Sequence, residues 1–279
     1  MIVDAHHHLW DPALRDYPWM TPAVAPIVRR FGADDLEAAL PPQVAYTVLV
    51  QATSTLEESQ MLLRIAADTQ RIAGVVGWID LRSDVPAQIA LLRSGAGGDK
   101  LVGVRHQVHD ENDPNWLMRD DVLAGLAAVG DAGLAYDLLV RTRETAAAAQ
   151  AAQRLSNVRF VLDHGAKPPI AHGTVEPWRA GIARLASLPN VSCKLSGLVT
   201  EAPWESWSQE QILPYGKILL DLFGARRLLF GSDWPVCLLA ASYDRVLGLA
   251  QYICERLLPP ERDAVFSSNA VRVYHLREH

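Results

Sequence analysis

Residues 3–10 read Val3-Asp4-Ala5-His6-His7-His8-Leu9-Trp10, a short apolar run that ends in histidines. Side chains alternate across a strand, so His6 and His8 share one face and His7 takes the other. Two imidazoles converging at a strand end can bind a metal ion or polarise a carbonyl oxygen. His7 is expected to pack behind the strand. The run follows Met1-Ile2 without a linker and is too short for a purification tag.

Seven further runs of β character follow this one: Tyr46–Val50, Ile72–Trp78, Leu101–Val104, Leu134–Val140, Val158–Leu162, Asn190–Leu195 and Arg227–Phe230. Most are followed by a segment of helical period. Between Glu57 and Arg71, apolar Met61, Leu62, Ile65 and Ala66 fall on one face of a 3.6-residue repeat. Ser208-Gln209-Glu210-Gln211 carries a capping-box pattern, and the helix running through Pro214–Phe223 stops at Gly224. Strand and helix alternation implies parallel pairing, and eight such units in one chain predict a single α/β domain over 1–279, a (β/α)₈ TIM-type barrel. Two segments interrupt the alternation. Asp11–Pro42 is Pro-rich and carries Trp19, with Trp10 just before it, which predicts a loop and short helix over the barrel mouth, placed to act as a lid. Asp110–Trp116 is a second mouth loop, with a helix starting near Arg119. Gly95-Ala96-Gly97-Gly98 lacks the Lys-Ser/Thr ending of a phosphate loop and reads as a plain turn.

Composition narrows the partners. The 279 residues are 49% hydrophobic and 21% charged with a net charge of −6, which leaves no basic footprint for nucleic acid or an anionic membrane. A small molecule is the expected partner. No apolar stretch approaches the ~20 residues of a membrane helix and no charged leader precedes an apolar segment, so a cytoplasmic location is expected. Cys193, Cys237 and Cys254 lack paired metal-type spacing and read as free, buried thiols.

Active sites of this barrel class lie at the C-terminal strand ends, and here those ends are polar: His6 and His8, Gln51, Asp80, Arg105-His106, Asp163-His164-Gly165, Lys194, and Gly231-Ser232-Asp233-Trp234-Pro235. Two His on the first strand, one on the sixth and an Asp on the eighth form a convergent set. Asp80 reads as a loop cap, Trp234 as packing, and His109 and His172 as solvated loop residues. Ser232 lacks the Gly-x-Ser-x-Gly elbow of a nucleophile.

The opening Asp4-x-His6-x-His8, Asp163-His164-Gly165, Phe230-Gly231-Ser232-Asp233-Trp234-Pro235 and the closing Asn269-Ala270-Val271-Arg272-Val273-Tyr274 together resemble the amidohydrolase superfamily, over nearly the whole chain. The Asp-Trp-Pro form resembles the branch of L-fuconolactonase-like sugar lactonases and pyrone-dicarboxylate lactonase. The resemblance places the superfamily's first-strand pair on His6 and His8, its sixth-strand His on His164 and its last-strand Asp on Asp233. Two-metal members use a fourth-strand Lys or Glu and a fifth-strand His. This chain has Arg105-His106 and Val140-Arg141 there, so no two-metal site is implied. His6, His8, His164 and Asp233 suffice for one tetrahedral Zn²⁺, but the branch resembles enzymes that work without metal, and no required cofactor is expected.

The implied activity is hydrolysis of a sugar-derived lactone, with a metal-dependent decarboxylase or hydrolase of a small carboxylate as the alternative. Lactone hydrolysis needs an activated water and a place for charge on the carbonyl oxygen. Asp233 is expected as general base, with His6, His8 and His164 stabilising the oxyanion. Arg105, His106, Lys194, Trp10 and Gln51 are the expected substrate-binding residues.

Overall fold

The computed structural model describes residues 1–277. All eight runs form strands: β1 (Ile2–His7), β2 (Val44–Val50), β3 (Ile72–Gly77), β4 (Leu101–His106), β5 (Ala135–Leu138), β6 (Arg159–Leu162), β7 (Val191–Leu195) and β8 (Leu228–Phe230). They pair in parallel and in sequence order. Closure falls just beyond β8, where Asp233 N donates to His6 O at 2.8 Å and His8 N donates to Trp234 O at 2.7 Å. Asp4 fastens the same seam from the outside. Its carboxylate accepts from Ser232 N (2.9 Å), Ser232 Oγ (2.6 Å) and Tyr243 Oη (2.8 Å). The architecture is a (β/α)₈ barrel.

The covering helices are α1 (Ala33–Ala39), α2 (Leu56–Asp68), α3 (Val85–Ser94), α4 (Asp120–Asp131), α5 (Thr145–Arg154), α6 (Trp178–Ala186), α7 (Gln209–Phe223) and α8 (Tyr243–Ile253). Local chemistry sets their ends. Thr55 Oγ1 accepts from Glu58 N at 3.2 Å at the start of α2, and Gln211 Oε1 accepts from Ser208 N at 2.9 Å at the start of α7. α7 ends at Gly224, whose φ of 67° favours glycine. α2 turns slightly away from the expected face, burying Leu62, Leu63 and Ala66 and leaving Met61 and Ile65 half-buried. The last helix, Asn269–Tyr274, places Ala270, Val273 and Tyr274 against the barrel-interior residues Val3, Ala5, Val76 and Val161.

One irregularity aims the histidines. Val3 and Ala5 lie in the barrel interior, so simple alternation would carry His7 inward. The β1–β2 register shifts between Asp4 and His7, a bulge that inserts one extra residue and turns His6 and His8 to the inside. His7 faces the helix layer, fully buried, and neither ring nitrogen has a side-chain partner.

The Pro-rich segment contains a 3₁₀ turn, Pro22–Ile27, followed by α1. It is pinned by paired Trp10–Phe31 backbone hydrogen bonds of 3.1 and 2.9 Å and by Trp10 Nε1, which donates to Ile27 O and Arg29 O. The three cysteines are free and buried. Among the described residues no helix is long and apolar enough to cross a membrane.

Candidate active site

His6, His8, His164 and Asp233 converge at one mouth. Asp233 Oδ1 lies 3.5 Å from His8 Nε2, 3.8 Å from His6 Nε2 and 3.9 Å from His164 Nε2, and the two Nε2 atoms of His6 and His8 are 3.1 Å apart. Two of the four depend on unusual backbone. His164 (φ 52°) and Asp233 (φ 58°) both occupy the left-handed region, a conformation that costs on the order of 1–3 kcal/mol and persists where surrounding structure enforces it. For His164 that support includes Ser196 Oγ, 2.8 Å from Nδ1, and Gly197, where a Cβ would sit 2.5 Å from the same atom.

A buried charge network lies beneath. Asp163 Oδ2 accepts from Arg105 Nη1 at 2.9 Å, and its Oδ1 is 2.9 Å from Lys194 Nζ and 3.4 Å from His6 Nδ1. Lys194 also donates to Asp137 Oδ2 (2.5 Å) and to His6 Nδ1 (2.9 Å), while Tyr274 Oη donates to both Asp137 oxygens at 2.9 Å. Gln51 Oε1 accepts from Arg105 Nε (3.1 Å) and Nη2 (2.8 Å).

These contacts fix protonation. Burial holds His6 well below its ordinary value, with Lys194 adding to the effect. Burial also lowers His8, and it brings His164 down to about 4. For Asp233 burial works upward, but attraction to the His164 and His8 rings outweighs it, and its carboxyl sits below the usual range. At neutral pH one carboxylate therefore faces three neutral imidazoles. Val50 O takes the Nδ1 proton of His8 at 2.8 Å, leaving a lone pair on its Nε2. With the Lys194 ammonium donating to Nδ1, neutral His6 carries its proton on Nε2, aimed at His8 Nε2.

The donor set fits a metal ion. Ligand atoms about 2.0–2.1 Å from a tetrahedral Zn²⁺ stand about 3.3–3.4 Å apart, and the separations within His6, His8 and Asp233, from 3.1 to 3.8 Å, bracket that spacing, with His164 Nε2 3.9 Å from Asp233. His6, His8 and Asp233 form one potential metal group, and His6, Asp163 and His164 a second that shares its first histidine. His8 has the outer partner of a metal-ligating histidine, its Nδ1–H donating to Val50 O, and Ser196 Oγ holds His164 at Nδ1.

Over Asp233 opens a cavity of about 560 Å³, a figure that takes in the open solvent at its mouth. His8, His164, Asp233 and an edge of Arg105 form its floor. Trp19, Ala52, Leu139 and Val236 give apolar walls, and Gln107, His109, Asp110 and Lys167 give polar ones.

Several expected substrate contacts lie elsewhere. Gln51 is buried and serves Arg105. Lys194 is sealed beneath His6 because its strand position points to the barrel centre. Trp10 is buried against Tyr17, Trp19 and Phe31, and Trp19 takes the wall position instead. His106 alternates with Arg105 along β4 and faces a neighbouring hollow, hydrogen-bonded to Trp78 and Glu111 and stacked on Trp116. His109 is half-buried rather than solvated, and burial lowers it to about 4. Lys167 had one sequence signal, a cation five residues past the β6 end and directly before Pro168-Pro169.

A sequence model of the amidohydrolase family matches residues 3–276. The chain belongs to the amidohydrolase family. It is 41% identical over 280 residues to an L-fucono-1,5-lactonase of Burkholderia ambifaria, covering 98% of this chain and 95% of that protein. It is 39% identical over 288 residues to an L-fucono-1,5-lactonase of Burkholderia multivorans, covering 99% and 96%. An amidohydrolase of Burkholderia multivorans, solved once with bound HEPES and once with bound zinc, superposes with a TM-score of 0.93 at 38% identity over 99% of this chain and all of that one. The expectation that no metal is required gains no support from a family relative holding zinc. Likeness to a 5-carboxyvanillate decarboxylase of Sphingomonas paucimobilis, at 14% identity and a TM-score of 0.60, extends to the fold alone.

Proposed function

We propose that this family member hydrolyses the ring ester of a sugar-derived lactone of the L-fucono-1,5-lactone type. The observation that carries the reading is an ionised Asp233 among three neutral imidazoles at the floor of a cavity, in a chain about 40% identical, end to end, to two proteins of that activity.

Asp233 holds a water and takes its proton as the oxygen attacks the lactone carbonyl, a contribution of roughly 10²–10⁴-fold for a positioned base. His164, which lines the cavity while Ser196 Oγ holds its Nδ1, presents Nε2 to the oxygen on which charge develops, and His6, held from below by Lys194 and Asp163, fixes His8 through its Nε2–H. As the carbonyl re-forms, the ring C–O bond breaks and Asp233 returns its proton to the leaving alkoxide, giving the open-chain acid. His6, His8, His164 and Asp233 are also the residues that would hold one Zn²⁺, which when bound supplies a Lewis acid and an acidified water. Arg105 sets the floor and lends its positive field. Trp19, Leu139 and Val236 provide the apolar contact that a deoxy sugar end needs.

The test is proton release on a panel of aldonolactones and dicarboxylate lactones, with and without chelator. Turnover of aldonolactones is expected, and a chain that opens none of them contradicts the reading. Activity lost to chelator and restored by Zn²⁺ assigns the ion to the reaction, whereas activity retained assigns the step to the side chains alone.

A further inference from the structure

Ester hydrolysis turns an uncharged ring into an acid, so a site built around the Asp233 carboxylate must accommodate a second anion. Three cations stand near enough to consider. Arg105 is spent: Gln51 and Asp163 engage its Nε, Nη1 and Nη2, and its remaining approach is to His6 Nε2 at 3.4 Å. Lys194 is sealed below His6 with no exposed surface. Lys167 differs from both. It lines the cavity over Asp233 and also the outer hollow bounded by Arg141, Thr200 and Trp204.

Its backbone explains how it gets there. His164, Gly165, Ala166 and Lys167 have φ of 52°, 55°, 60° and 51°, four successive left-handed residues of which three are not glycine. That turn, uncommon for such residues, brings the side chain of Lys167 over the mouth. The ammonium makes one bond to a side chain, donating to Glu201 Oε1 at 2.8 Å with both groups mostly but not wholly covered. An ammonium has three donors. Glu201 is shared in turn with Arg141 Nη1 at 3.4 Å. One carboxylate thus holds two cations, Arg141 in the outer hollow and Lys167 between that hollow and the cavity in which an anion is made.

Resting on the lactonase reading, we propose that Lys167 is the residue that receives the carboxylate of the ring-opened product, with Glu201 as the internal carboxylate the product competes against. The lactone offers the Lys167 ammonium a neutral acceptor, while the product offers a full opposite charge and so gains a Coulombic attraction that the lactone lacks. Lys167 therefore separates product affinity from substrate affinity. It governs how strongly the acid inhibits its own formation.

The experiment uses L-fuconate as the product probe, titrated calorimetrically and as a competitive inhibitor of L-fucono-1,5-lactone hydrolysis, with wild type, Lys167→Met, Lys167→Arg and Glu201→Gln. Lys167→Met is expected to weaken L-fuconate by about ten- to a hundredfold, the worth of a hydrogen bond to a charged group, while the lactone KM moves less than about threefold. Lys167→Arg restores most of the loss, and Glu201→Gln tightens L-fuconate. The wild-type constant weakens with added salt while KM holds. An unchanged L-fuconate constant in Lys167→Met overturns the proposal. So does an equal loss of lactone and L-fuconate, which makes the side chain a matter of shape, and so does weakening in Glu201→Gln, which makes the ion pair structural. If wild type opens no lactone, the lactonase reading fails and this role falls with it; if wild type turns over and the variant binds L-fuconate normally, only the role of Lys167 fails.

Discussion

A histidine-lined site that works with neutral imidazoles should ignore the pH range in which histidine ordinarily titrates. Burial brings His164 down to about 4, lowers His6 and His8, and leaves Asp233 ionised below the usual carboxylate range. The sign follows directly. Protonating His164 puts a positive charge on the base's neighbour and removes activity, and this happens only as pH falls through about 4. At about pH 5, some 90% of His164 is neutral, whereas a histidine at 6.5 would be only about 3% neutral, a difference of about thirtyfold. The profile of kcat/KM, which reports the free enzyme, should thus be flat from about pH 8 to 5 and fall below that. Initial rates of lactone opening, followed by pH-stat with the spontaneous rate subtracted and folding checked by circular dichroism, measure it. A tenfold loss per pH unit beginning near 6.5 in folded protein would refute the electrostatic account.

Acid should also strain the fold through His7. Its folded value is about 3 against 6.5 unfolded because burial opposes its charge, so stability is complete above 6.5 and is lost progressively between 6.5 and 3. Near pH 4.5 the loss is about 3 kcal/mol. In His7→Leu the stability drop between about pH 7.5 and 4.5, from urea unfolding, should shrink by about that much, and an unchanged drop would place the acid sensitivity elsewhere. Lys194→Met leaves Asp137 and Asp163 buried with one of their cations gone and should cost about 3–5 kcal/mol in urea unfolding; a cost under about 1 kcal/mol would mean the network is not charge-coupled.

The barrel was legible because eight β-rich runs, most of them closed by a polar residue, leave few alternatives to a parallel sheet with helices between. His6, His8, His164 and Asp233 were legible for the same reason, since each sits at a strand end. What escaped depends on how loops bend. Alternation could pair His6 with His8 but could not reveal the bulge that turns them inward past Ala5. Alternation along β4 turns His106 away from Arg105 and toward the neighbouring hollow. Lys194 looked like a mouth residue because it lies near a strand end, yet its inward-facing side chain is held underneath by two buried carboxylates. Lys167 and His109 reach the cavity through a left-handed turn and a 3₁₀ turn, neither of which leaves a periodic signal. Trp19 and Trp10 are both aromatic residues of the mouth segment, and only packing decides which one faces substrate.

The central claim is that Asp233 activates water against a sugar lactone. Proton release after adding L-fucono-1,5-lactone at neutral pH, compared between wild type and Asp233→Asn, tests it most directly. The account predicts turnover well above the spontaneous rate in wild type and a loss of roughly 10²–10⁴-fold in the folded variant. Turnover in Asp233→Asn equal to wild type, or none in either, would contradict it.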